Sequence, residues 1–182
     1  MFPCSVNLPA LWLSVADIPS SSRSARERKR VSRMDRETVQ ALLAQAVPFN
    51  RVLGIEVIEV EPGRVVARMP ASPDRLNHVG TIHAAAQFGL GEATAGAQVV
   101  VAFGHLQAQG IVPLAVDAMI RYRRPASDDL RGVASLDQRE AERVTAEALA
   151  GGRPRFIIPV QIMDATGQIT TEMTVTWVLV KP

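Results

Sequence analysis

The chain has 182 residues, of which 47% are hydrophobic and 21% charged, with a formal net charge of +2. That length suits one domain with a sizeable core and room for an appendage. No apolar run is long enough to cross a bilayer, and the body carries no basic face for nucleic acid. A single cysteine, Cys4, excludes an internal disulfide framework and a cysteine-ligated zinc site.

The lone cysteine fits a reducing compartment, so the expected location is the cytoplasm. His78, His83 and His105 match no metal-binding spacing, and no cofactor is expected. The charge is uneven. Residues 1–33 hold six basic and two acidic side chains, whereas residues 34–182 hold fourteen and sixteen. In the first segment an apolar stretch, Leu8 to Val15, precedes the basic run Arg26–Arg30, the reverse of a secretory signal. The segment reads as a disordered basic extension. A transit peptide, a basic interaction tail, or a biological start at Met34 are the alternatives. Residues 34–182 form the expected domain.

Helical pattern begins after Met34. Val39, Leu42, Leu43 and Ala46 recur at 3–4 spacing behind Asp35, a candidate N-cap, and Pro48 ends the run. Residues 55–61 and 64–70 are rich in Ile and Val and are split by Pro62-Gly63, a hairpin signal. A parity break at Val57-Ile58 predicts a bulge or burial on both faces. After a loop containing Pro73 and Asn77, residues 83–102 predict a helix of about five turns.

Beyond Gly110 the pattern is mostly strand. Leu114, Val116, Ala118, Ile120 and Tyr122 share one parity, with Asp117, Arg121 and Arg123 on the other. Residues 130–138 predict a weaker strand, and 139–150 a helix stopped by Gly151-Gly152. Two further strands follow around the turn Asp164–Gly167. The first buries Phe156, Ile158, Val160 and Ile162, the second Met173, Val175, Trp177 and Leu179. The sum is about six amphipathic strands and one helix that is apolar all round. A curved antiparallel sheet wrapped around that helix satisfies both. Gly89, Gly91 and Gly96, each costing roughly 1 kcal/mol in a helix relative to alanine, make it thin enough for strands or a partner helix to approach.

Between His83 and His105 one charged side chain occurs, Glu92. A carboxylate in such surroundings is costly unless it is paired, protonated or used. Nine residues separate His83 from Glu92, which is about two and a half turns and a rise of about 13–14 Å. The two therefore point to opposite sides and cannot reach one reacting atom within a single chain. If both serve catalysis, two-fold symmetry must bring Glu92 of one copy to the helix start of the other, giving two shared sites. At that start the N–H groups of Ala84 and Ala85 lack intrahelical partners and would stabilise an oxyanion. Glu92 in a mostly apolar site would activate water as a general base.

The stretch NHVGTIHAAAQFGLGEA, Asn77 to Ala93, resembles the hotdog-fold thioesterases. It is closest to the phenylacetate-degradation type of acyl-CoA thioesterase and its bacterial relatives. The pattern is an Asn, a Gly three on, a His at six, two small residues, and an acid nine beyond the His. PLAVDAMIRYRRP, Pro113 to Pro125, is a second, looser match, and the similarity spans about residues 48–180. The resemblance implies an α+β hotdog fold, a helical sausage in a β-sheet bun, dimeric or a dimer of dimers. It implies hydrolysis of an acyl thioester, with acyl-CoA as the partner ligand and no membrane or nucleic acid. Carried over by position, the Ala84 amide would bind the thioester carbonyl, Gly80 and Ala85 would shape the site, and His83 and Asn77 would position helix, substrate or water. Glu92 of the partner would be base or nucleophile. The sequence departs at His83-Ala84-Ala85, where the family commonly has His-Gly-Gly, and at Ala115, where it often has Ser or Thr. These departures make an acyl-CoA binder with weak or no hydrolysis the second reading. A hotdog dehydratase, with a different His–acid spacing, is the third. Arg121, Arg123 and Arg124 read first as a solvated strand edge, with a grip on coenzyme A phosphates as the alternative. His78 and His105 receive no role, and Asp117 reads as structural.

Overall fold

The computed structural model describes residues 34–182. The expected extension 1–33, with Cys4, lies outside the described residues. Helix α1 spans Arg36–Ala46, and its N-cap Asp35 accepts the Thr38 N–H at 2.8 Å. Val39 and Leu43 of α1 are buried with Val57, Val65, Ala97 and Val100 in a satellite core. Pro48 ends α1 but also opens a second helical piece, α2, Pro48–Val52, in which it holds the first-turn position. The lack of an N–H that stops one helix is harmless at the start of the next.

Strands β1 (Glu56–Glu61) and β2 (Arg64–Met69) form the hairpin, with Gly63 at φ 75° in its turn. The register slips between Val57 and Glu59, so the parity break is a bulge. Gln40 of α1 accepts the Val57 N–H at 2.6 Å, so α1 covers that edge. The central helix α3, Ala84–Phe103, is followed by a 3-10 segment, Gly104–Gln109. Then come β3 (Val112–Tyr122), β4 (Leu130–Ser135), α4 (Gln138–Leu149), β5 (Arg155–Met163) and β6 (Ile169–Val180). The expected strand 130–138 stops at Ser135 because Asp137 caps α4, accepting from the N–H groups of Arg139 and Glu140.

The six strands form one antiparallel sheet in the order β1-β2-β4-β5-β6-β3. Alternate residues of β5 and β6 face α3, and Phe156, Ile158, Val160, Ile162, Met173, Val175, Trp177 and Leu179 are all buried there. A Cβ added at Gly91 would press on Met173 and one at Gly89 on Leu53, so the glycines admit the close approach their spacing predicts. This sheet wrapped around a long helix is the hotdog fold.

One reading needs correction. The single parity assigned to Leu114, Val116, Ala118, Ile120 and Tyr122 fails, because β3 carries a bulge between Ala115 and Asp117. Ala115 pairs with Trp177 and Ala118 with Val175, so both share the helix-facing side, whereas Leu114 lies on the other face. One extra residue exchanges the faces. The helix α3 is buried on most sides, as its apolar composition requires, but not on all. Ala84, Ala85 and Phe88 are exposed and Glu92 and Gly96 half-buried, which leaves an open stripe along one face. Strand β3 is an unpaired edge beside it. Its Leu114, Val116, Met119 and Tyr122 are exposed, Met119 by 59%.

Candidate functional site

The start of α3 is held by its own loop. Leu76 and Ile82 make a β-bridge, and between them Asn77 closes a tight loop. Its Oδ1 accepts from the N–H groups of Val79 (3.0 Å) and Thr81 (3.1 Å), and its Nδ2 donates to the Thr81 hydroxyl at 2.8 Å. Gly80 sits in the same loop at φ 77°, a conformation that glycine adopts without strain. Asn77 is thus an organiser of the turn, as asparagine often is, and it holds the segment entering the helix.

His83 is the N-cap, with φ −60° and ψ 142°. Its Nδ1 accepts the Ala85 N–H at 3.0 Å, and its carbonyl accepts from Ala86 and Gln87. This corrects one expectation: the Ala85 amide is already occupied by His83. The Ala84 N–H has no partner among the described residues and lies at the exposed helix tip. It is the donor that remains available.

Ala84 borders an open cleft of about 300 Å³ lined by Asn77, Thr81, Ile82, Gln87, Tyr122, Arg123, Arg124 and Pro125. Four expected site residues, Asn77, Ala84, Arg123 and Arg124, therefore meet there. The cleft wall mixes polar and apolar surface. The two arginines differ. Arg123 places both Nε and Nη2 on the Glu172 carboxylate (2.8 and 2.6 Å), whereas Arg124 donates to the neutral Gln168 at 2.7 Å. Arg124 keeps more of its charge available to a ligand.

Glu92, Gly80, Ala85 and Ala115 do not line this cleft. Glu92 lies about two and a half turns along α3 from His83, on the open stripe. Among the described residues it makes no hydrogen bond or ion pair, and burial pushes its carboxyl above the ordinary value. The structure thus agrees with the helical geometry: one chain does not bring the acid to its own helix tip. Ala115 stands on the helix-facing side of the β3 edge, offering a methyl group where a hydroxyl was looked for.

Sequence reasoning missed Thr81, Gln87 and Tyr122. The Tyr122 hydroxyl donates to the Ala84 carbonyl at 3.1 Å. Partial burial pushes that hydroxyl upward. Gln87 is buried, with its amide engaged on both sides. A signal existed for Gln87, since it is the one polar side chain in the run from Ala84 to Gly91. The described residues contain no cluster of three or more His, Cys, Asp or Glu able to hold a metal. No helix among them is long and apolar enough to cross a membrane.

Solved structures share this architecture. A Pseudomonas aeruginosa protein of unknown function, described as a probable thioesterase, is 27% identical, with a TM-score of 0.72 over 82% of this chain and 98% of its own. A Haemophilus influenzae thioesterase is 15% identical, with a TM-score of 0.64 over 81% and 92%. The PaaI protein of the Escherichia coli phenylacetic acid degradation operon is 16% identical, with a TM-score of 0.59 over 75% and 87%. No curated protein matches the chain. A family model does match, over residues 35–179, and the chain belongs to that family, a domain of unknown function designated DUF4442.

Proposed function

We propose that the protein hydrolyses an acyl thioester, with acyl-CoA as its substrate class, at two sites shared across a homodimer. The observation that carries this reading is Glu92, a half-buried carboxylate with no partner among the described residues, on an open stripe of an otherwise enclosed helix. A group left in that state is costly unless something outside the chain uses it. The open stripe and the unpaired, apolar β3 edge give a second copy a surface to cover. With the copies related by a two-fold axis, Glu92 of one subunit meets the helix tip of the other.

In this site the cleft beside Ala84 takes the coenzyme A arm, and Arg124 is the better placed cation for its phosphates. The thioester carbonyl accepts from the Ala84 N–H at the positive end of α3. Glu92 of the partner takes a proton from water as that water attacks the carbonyl carbon, or itself attacks as nucleophile. The oxyanion is held by the Ala84 N–H. On the water route collapse breaks the carbon–sulfur bond, the proton held by Glu92 passes to the leaving thiolate, and free acid and thiol are released. On the nucleophile route the thiol leaves first and a water then hydrolyses the anhydride formed on Glu92. His83 and Asn77 position the tip.

The relatives lend support. Three solved proteins of this fold are called thioesterases or probable thioesterases. The Staphylococcus aureus thioesterase has been solved with a glutamine, and separately with a glutamate, replaced by alanine, two positions fifteen apart. Asn77 and Glu92 have the same separation.

The test is thiol release from a panel of acyl-CoAs of varied chain length and aromaticity. Turnover by the wild-type protein that disappears in Glu92→Ala is the expected result. Ala115, which offers no hydroxyl, favours a second reading, an acyl-CoA binder. Saturable binding without turnover on any member of the panel would establish that reading and remove the first.

A further inference from the structure

Gln87 is only 4% exposed, although it is an amide in the first turns of a helix whose residues from Ala84 to Gly91 are otherwise small or apolar. Its Nε2 donates back to the Ile82 carbonyl at 3.1 Å. Its Oε1 accepts from the Thr171 hydroxyl of β6 at 2.5 Å. Thr171 is the cross-strand partner of Tyr122, whose own hydroxyl donates to the Ala84 carbonyl. The Ile82 N–H donates to the Ala126 carbonyl at 2.6 Å. These bonds tie the two residues flanking His83 to the sheet from different directions.

A buried amide is a poor choice if filling space is all that is needed. Replacing both partners of a buried hydrogen bond by apolar groups of the same shape is often nearly neutral for stability. Leucine and valine in these two places would serve the core. What they would not do is fix the direction of the chain at Ile82. We infer that Gln87, locked by Thr171, is a positioning residue that sets where the helix tip, and hence the Ala84 N–H, points. The consequence for catalysis rests on the reading of that N–H as the oxyanion donor. The consequence for tip geometry does not.

The test separates stability from position. Thr171→Val removes the hydroxyl at nearly constant shape and strands the Gln87 Oε1. Thr171→Ser restores a hydroxyl. The double variant Gln87→Leu/Thr171→Val leaves no side chain with an unpaired group, and only the Ile82 carbonyl loses its donor. Tm falls in Thr171→Val and recovers in the double variant. In both, kcat for acyl-CoA hydrolysis falls about 10–100-fold with KM little changed, the scale on which small misplacement acts. Thr171→Ser retains kcat. Amide exchange at Ile82, Ala86 and Gln87, all hydrogen-bonded at the tip, quickens in Thr171→Val and in the double variant but not in Thr171→Ser. A double variant with wild-type kcat, or unchanged exchange at those amides, overturns the inference. If the wild-type protein hydrolyses no thioester, the functional reading falls, and the exchange result alone still decides whether Gln87 fixes the tip.

Discussion

The tip of α3 and its middle are treated in opposite ways. At the tip nearly every polar group is held by its own chain. His83 caps Ala85, Asn77 closes the entering loop, Gln87 grips Ile82 and Thr171, and Tyr122 takes the Ala84 carbonyl. The Ala84 N–H is left over. About two and a half turns on, Glu92 carries a full charge when ionised, is half-buried, and has no partner among the described residues. Folding therefore completes one end of the helix and leaves the acid for something that arrives later. A preorganised donor and an uncommitted acid are what acyl transfer needs, and the two-fold axis would bring them together.

The sharpest way to break this contrast is to remove one member at a time. Glu92→Gln keeps the shape and loses the base, and turnover should fall by about 10²–10⁴-fold. Ala84→Pro attacks the other member. Proline is tolerated at the first helical position, and His83 before it already has the extended conformation that proline demands. The substitution deletes the one open N–H, and kcat should fall by about 10²–10³-fold. Neither variant should unfold the chain, which circular dichroism and thermal melts will show.

The two variants also test the shared site. Each variant alone should be nearly inactive. A mixed dimer of Glu92→Gln and Ala84→Pro subunits has one doubly impaired site and one intact site. Co-expression should restore about a quarter of wild-type activity, from half the dimers with half their sites. Complementation that never rises above the single variants would mean that the acid and the donor act within one chain, and the dimeric site would be lost with it.

Most of the fold was legible because the two periods, 2 and 3.6, are clean in this sequence. The β5 and β6 alternation and the small-residue helix left little choice. Strand β3 misled because apolar side chains occur on both of its faces. Leu114 and Met119 point away from the helix, and Ala118 and Ile120 toward it. A bulge hidden among such residues moves no visible polar marker. At the site, the spacing from Asn77 to Glu92 was visible in the sequence because it is local. Gln87 did not stand out because its meaning depends on Thr171, 84 residues away. The Ala85 amide was misjudged for a different reason: a histidine N-cap accepts through a ring nitrogen, which the usual Ser, Thr, Asp and Asn signals do not announce.

The cleft arginines give a smaller, selective effect. Arg123 is ion-paired with Glu172, while Arg124 hydrogen-bonds a neutral amide and feels Asp164 only at longer range. Arg124→Ala should raise KM for acyl-CoA by about tenfold, in keeping with loss of one charge-assisted contact. It should leave KM for the same acyl group on pantetheine, which lacks the nucleotide phosphates, nearly unchanged. Arg123→Ala should shift KM less. Equal shifts on both thioesters would show that Arg124 supports the cleft wall and does not read a phosphate.

The smallest effect concerns stability, and its sign is informative. Burial raises the Glu92 pKa in the folded chain, so the folded state holds this proton more tightly than the unfolded state. Below the unfolded value both states are protonated, and no charge is buried. As pH rises through the folded value, the charge must be accommodated inside, and the stability present at low pH is lost. Glu92→Gln buries no charge at any pH. Its Tm should match the wild type at about pH 4 and exceed it at about pH 8, the gap opening as Glu92 ionises. The acid limb of kcat/KM should lie above the ordinary glutamate range for the same reason. A variant less stable than wild type at neutral pH would mean that the ionised Glu92 is held by a favourable partner, and the contrast between a satisfied tip and an uncommitted acid would fail at its root.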